Sequence, residues 1–125
     1  MAKQGDFHSV VDEIYQQDNR YKPDAYEFVL EALYFTQKKM KKAGHISGKE
    51  LLEGIREFAL QQYGPMAKTV FSYWGIKKTD DFGDIVFNMI GKKLLSQTEL
   101  DTIEDFKAVY EFDKALKPIP GNIEI

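Results

Sequence analysis

The sequence predicts a mainly α-helical, compact domain closed by a small C-terminal β-hairpin. Three observations carry that expectation. Apolar residues recur at helical spacing through most of residues 6–91. Glycine and proline interrupt that stretch only where one helix should stop and the next begin. An alternation of period two sets in only near the C-terminus, from Phe106 to Phe112.

The first helix is expected over 6–17, with Asp6 as its cap and Phe7, Val10, Val11, Ile14 and Tyr15 as its stripe. Asp18, Asn19 and Arg20 break it. Pro23 opens a second helix over 23–43 at the first helical position. Its residues from Tyr26 to Phe35 are apolar on nearly every face, which marks a buried central post. Leu30, in the middle of that set, is expected deep in the core. The post turns basic at Lys38, Lys39, Lys41 and Lys42, where cations suit a helix C-terminus. Ala43 and Gly44 should end it.

The stretch 47–91 organises the rest. Ser47 and Glu50 have the spacing of a capping box, in which each side chain serves the other residue's amide, and Ile46 and Leu51 stand where a hydrophobic staple would close over it. The helix over 48–63 carries Leu51, Leu52, Ile55, Phe58, Ala59 and Tyr63, with Phe58 expected in the core. Gly64 and Pro65 separate it from a helix over 65–74, which Gly75 ends. Thr79 should cap a helix over 79–91, with Asp80 and Asp81 in the first turn, where carboxylates suit the positive end of the dipole.

Beyond Gly91 the alternation favours a hairpin, with one strand over 94–97 and a second over 106–112. A helix over 102–116 is the competing reading, since Ile103, Phe106, Val109 and Tyr110 also match part of a helical face. Residues 1–116 form a single domain, and 117–125, with two prolines and a glycine, form an extended or disordered tail. Three helices followed by a hairpin give a winged-helix-like order, with the Thr79 helix in the recognition position.

Several stretches together resemble a bacterial family, the planctomycete–verrucomicrobial restricted proteins. They are Arg20-Tyr-Lys-Pro-Asp-Ala-Tyr-Glu-Phe-Val-Leu-Glu-Ala-Leu33, His45-Ile-Ser-Gly-Lys-Glu-Leu-Leu-Glu-Gly-Ile-Arg56, Tyr63-Gly-Pro-Met-Ala-Lys-Thr-Val70 with Trp74-Gly-Ile76, Thr79-Asp-Asp-Phe-Gly-Asp-Ile-Val-Phe-Asn88, and Asp105-Phe106 with Tyr110-Glu-Phe-Asp113. The resemblance spans nearly the whole chain. It implies a compact bacterial domain and brings no activity, cofactor or site residue with it.

The totals exclude several classes of function. The chain of 125 residues can bury a core without staples. It has no cysteine, which removes disulfides, thiolate catalysis and cysteine-bound metal. Its first residues show no apolar core after Lys3, so no secretory leader is expected; no apolar run nears the roughly 20 residues that span a bilayer, so no membrane is expected and the cytoplasm is the expected compartment. A net charge of −3 argues against a dedicated nucleic-acid binder.

Chemistry-bearing patterns are sparse. Asp80, Asp81 and Asp84 crowd one helix start but lack the spacing of a calcium loop, so they read as a solvated helix end. His8 and His45 stand in no metal or triad spacing. No serine has a nucleophile-elbow context and no glycine-rich phosphate loop occurs. No catalytic residue, metal or cofactor is therefore expected. The candidate interaction surface is the basic cluster Lys38, Lys39, Lys41, Lys42 with His45, together with Trp74, Asp80 and Asp81. Trp74 is a common type of interface anchor and is also ordinary core.

The leading expectation is a non-enzymatic module that binds a partner protein. A basic patch at 38–42 and an acidic stretch at 97–113 suit oriented protein contacts. The alternatives are a nucleic-acid-associated protein using the lysines, and a small-molecule binder or enzyme. No tight nucleic-acid binding is expected, because both the Thr79 helix and the loop before Phe106 are acidic and repel phosphate.

Overall fold

The computed structural model describes residues 3–41, 46–95 and 106–116, with side chains from Phe7 onward. Five helices follow one another: α1 (Lys3–Gln17), α2 (Pro23–Met40), α3 (Gly48–Tyr63), α4 (Ala67–Trp74) and α5 (Thr79–Gly91). A 3₁₀ turn, Gly64–Met66, joins α3 to α4, and a single helical turn, Phe112–Ala115, closes the described chain.

The helix starts follow the expected chemistry. Pro23 sits in the first turn of α2. The Ser47 side chain accepts from the Glu50 amide at 3.0 Å, and the Glu50 carboxylate accepts from the Ser47 amide at 2.9 Å. Ile46 and Leu51, at the staple positions, are both fully buried. Four features differ from expectation. α4 begins at Ala67 and not at residue 65, because Gly64–Met66 forms a 3₁₀ turn. α1 begins at Lys3, so Asp6 lies inside it and does not cap it. α2 ends at Met40, where Lys41 takes a left-handed conformation (φ 58°) and donates its amide back to the Gln37 and Lys38 carbonyls. Ala43 and Gly44 lie outside the described residues. Thr79 is the first residue of α5 and not its cap; the Asp81 carboxylate serves the start by accepting from the Lys77 and Lys78 amides at 2.7 and 3.1 Å.

α2 packs against α1, α3, α4 and α5 and is the centre of the core. It is not buried all round. Ala25, Tyr26, Val29, Ala32 and Leu33 are interior, whereas Leu30 is half-buried and Tyr34 is 59% exposed. Phe58 is also half-buried, stacked between Phe28 and Phe35 at centroid distances of 5.4 and 5.2 Å. Apolar composition on every face overstated the burial because α2 has neighbours on most of its circumference but not all of it.

The C-terminal hairpin and the winged-helix order are not supported, since no strand occurs among the described residues. Leu94 and Leu95 belong to the turn after α5. From Phe106 the chain runs over the start of α5, and its amides bond there and not to a second strand. Ala108 donates to the Asp80 carboxylate at 2.9 Å and Val109 to the Thr79 hydroxyl at 3.0 Å. Ala108 takes a positive φ of 47°, which ends any extended run. The alternation has a different cause: Phe106 and Phe112 are buried and Tyr110 is half-buried, its hydroxyl donating to the Leu52 carbonyl of α3 at 2.7 Å. A helix over 102–116 is not supported either, because within 106–116 only Phe112–Ala115 is α-helical. The two acidic candidates Asp80 and Asp81 are thereby committed to holding backbone.

Candidate interaction surface

The open side of α2 is built by its helical period. At 3.6 residues per turn, Glu27, Leu30, Glu31, Tyr34 and Lys38 fall within roughly 100° of the circumference, and Lys41 follows one turn on as the residue that caps the helix. All are exposed except the half-buried Leu30. The acids stand toward the N-terminal half, the lysines at the C-terminal end, and Tyr34 between them. None of the four charged residues makes an ion pair among the described residues. Burial and the neighbouring Glu27 carboxylate hold the Glu31 carboxyl above its ordinary value.

The expected basic cluster is divided. Lys38 and Lys41 belong to the open face, and Lys39 turns to α3 and pairs with Glu57. Lys42 and His45 lie outside the described residues. Trp74 is core: it is 7% exposed and packs against Phe28, Tyr63 and Phe71 at 5.4–6.2 Å between ring centroids. The Lys22 amide donates to the Trp74 carbonyl at 3.0 Å, which fixes Trp74 beside the N-terminal end of α2. The lysines stand at the other end. With 18 residues in α2 and a rise of 1.5 Å each, the two groups are about 27 Å apart along the helix. The structure therefore does not gather the candidate residues into one site.

Asp81 and Asp84 belong to a polar clamp between α5 and the α1–α2 loop, whereas Asp80 holds the Ala108 amide. The Tyr21 hydroxyl lies 2.8 Å from Asp81 and 2.9 Å from Asp84, sharing its one proton between two carboxylates. Burial, with those carboxylates, pushes its ionisation far above the usual phenol range. Arg20 bridges Asp84 at 3.1 Å and Asp18 at 2.7 Å. Asn88 donates to both Asp18 and the Tyr26 hydroxyl at 3.0 Å. Two open grooves flank Asp80, one of about 370 Å³ lined by Arg20, Lys78, Asp84 and Lys107, the other of about 480 Å³ lined by Lys68, Lys77, Tyr110 and Asp113. Their charges are mixed in sign. Among the described residues no group of three or more His, Asp and Glu is arranged to hold a metal ion. The carboxylates of Asp81 and Asp84 are instead occupied by protein donors.

The clamp predicts an acid-dependent stability. The hydrogen bonds from the Arg20 side chain, helped by Asn88, hold the Asp18 carboxyl well below the usual carboxylate range. A depressed folded-state pKa stabilises the fold above the unfolded value of about 3.9 and loses that contribution as pH falls toward the folded value. Asp18→Asn should cost roughly 1 kcal/mol at neutral pH, a modest sum because Arg20 is largely exposed. The difference from wild type should shrink as pH falls below about 4. Urea midpoints of both proteins across that range measure it; a difference that stays constant into acid would show that the Asp18 charge is not the source.

Sequence reasoning did not single out Glu27 and Glu31, or the clamp residues Asp18, Arg20, Tyr21 and Asn88, and it assigned Tyr34 to the buried post. The open face had a signal, since Glu27, Glu31, Tyr34, Lys38 and Lys41 share one arc of a helical wheel. The clamp had none: its members are up to 70 residues apart in the chain. Among the described residues no helix is long and apolar enough to cross a membrane. Comparison with models of known families, with curated proteins and with solved structures returned no match.

Proposed function

We propose that this chain is a non-enzymatic interaction module, of the family it resembles, and that it binds a partner protein through the open face of α2. One observation carries the reading: Tyr34, 59% exposed, stands on a structured helix between charged residues that have no ion-pair partner among the described residues. Exposed aromatics beside charge are the usual makings of a protein contact, the ring supplying buried area and the charges orientation. The nucleic-acid reading is weaker. It leans on the lysine cluster in a winged-helix-like order; Lys39 of that cluster pairs with Glu57, and the chain over 106–116 forms no strand. Asp80, Asp81 and Asp84 also put negative charge at the start of α5.

Affinity capture from the native cell, with wild type and with Lys38→Glu/Lys41→Glu, tests this. The exposed substitutions should leave the fold intact apart from a helix-end penalty of about 0.3–1 kcal/mol per charge. They should abolish capture of the partner, and with wild type added salt should slow association before it changes dissociation. A variant that retains the same partners at the same rates would reduce the lysines to a solvated helix end.

A further inference from the structure

The charge order on α2 is its own complement. Tyr34 stands midway between Glu27 and Lys41, and Glu31 and Lys38 flank it at nearly equal steps. If a second α2 is laid antiparallel across this face with a two-fold axis at Tyr34, Glu27 of each helix meets Lys41 of the other. Glu31 then meets Lys38, the two tyrosines fill the centre, and each Leu30 lies beside the Lys38 stem of the other helix. An isologous two-fold contact requires a surface of this kind, in which the same residues serve both sides. The helix dipole explains the lysines at the C-terminal end. It does not explain the acids, because neither Glu27 nor Glu31 is in the first turn, or the exposed tyrosine. Within one chain Glu27 and Glu31 are like charges four apart, an unfavourable spacing. A lysine from a second copy relieves it.

We infer that the partner fitted by this face is a second copy of the chain, and that the protein forms an antiparallel α2–α2 homodimer centred on Tyr34. The inference rests on the reading of the face as an interaction surface. One helix pair with a single aromatic at its centre is a small interface, so the dimer is weak and salt-sensitive.

Sedimentation equilibrium of the purified full chain, up to about millimolar concentration at low and at physiological salt, tests it. Wild type should show a monomer–dimer equilibrium that shifts toward monomer with salt. Glu27→Lys/Glu31→Lys makes the face all basic and Lys38→Glu/Lys41→Glu makes it all acidic, so each alone should be monomeric. Mixed together they should form a heterodimer, and the fourfold charge swap should restore the homodimer. Tyr34→Ala should weaken association by roughly tenfold or more. Circular dichroism of each variant confirms the fold. A wild type that stays monomeric at low salt, or an equimolar mixture of the two variants that does not associate, overturns the inference. If wild type is monomeric and Lys38→Glu/Lys41→Glu still loses a captured partner, self-association alone falls and the wider reading of the face stands.

Discussion

Gly75→Ala should remove a large part of the stability of this domain, about 2–6 kcal/mol when a backbone cost of ~1–3 is added to an overpacking cost of ~1–3. Gly75 follows α4 at φ 92°, a conformation that L side chains rarely adopt. It closes a Schellman motif: its amide donates to the Ser72 carbonyl at 3.0 Å, and the Ile76 amide donates to the Phe71 carbonyl at 2.9 Å. Phe71 and Ile76, the apolar pair that accompanies this motif, are both fully buried. The second cost is contact. A Cβ at Gly75 would lie 2.2 Å from the Arg20 carbonyl oxygen, which is backbone and cannot swing away. Relief would require the α1–α2 loop to withdraw, lengthening the Lys22–Trp74 hydrogen bond and pulling Arg20 and Tyr21 from Asp84 and Asp81. Gly64→Ala is the control, since Gly64 also has a positive φ but no neighbour within 4 Å of a Cβ. Urea melts followed by fluorescence of Trp74, the single tryptophan, should place Gly75→Ala well below Gly64→Ala. Equal costs would mean that the approach to Arg20 contributes nothing. Domains of this size have only about 5–15 kcal/mol in total, so Gly75→Ala should be partly unfolded under mild conditions.

What the sequence made legible was local chemistry. Ser47 and Glu50 are three residues apart and need only each other, so the box that starts α3 could be read directly, and α3 has the expected bounds. Gly64-Pro65 and Gly75 act through their own backbone, and they mark the helix ends. What was not legible depended on distant residues. The segment from Phe106 to Phe112 alternates as a strand does, but alternation records only which side chains point inward. Whether its amides find a strand or the oxygens of Thr79 and Asp80 is decided elsewhere in the chain. Leu30 was placed deep because α2 is apolar on nearly every face, and Phe58 because it lies in the stripe of α3, but how deeply each is covered depends on which neighbours pack there. The candidate surface was half visible. The lysines stood out as a run, whereas their acidic counterparts and Tyr34 were absorbed into a helix taken to be buried.

Gly54→Ala should also destabilise strongly, against the local preference of its helix. Gly54 lies in the middle of α3, where alanine is favoured over glycine by roughly 1 kcal/mol. Tertiary contact reverses the sign. A Cβ there would lie 1.8 Å from Thr36 Oγ1 and 2.9 Å from Thr36 Cβ, on the facing side of α2. Thr36 is buried and its hydroxyl donates to the Ala32 carbonyl at 2.7 Å, so its rotamer is fixed. The helices would have to separate along a contact between two elements of the core, which sets the expected cost at the upper end of overpacking, about 3 kcal/mol or more. Thr36→Ala removes the nearest atom and leaves the Ala32 carbonyl its place in the helix ladder, so alone it should cost only about 1 kcal/mol. The double variant should then be more stable than Gly54→Ala, with a coupling of roughly 1–3 kcal/mol in a double-mutant cycle measured by urea denaturation. Strict additivity of the two costs would show that α2 and α3 do not meet through this glycine and threonine. Recovery in the double variant would establish that Gly54 is required for the close approach of two helices and not for any property of its own helix.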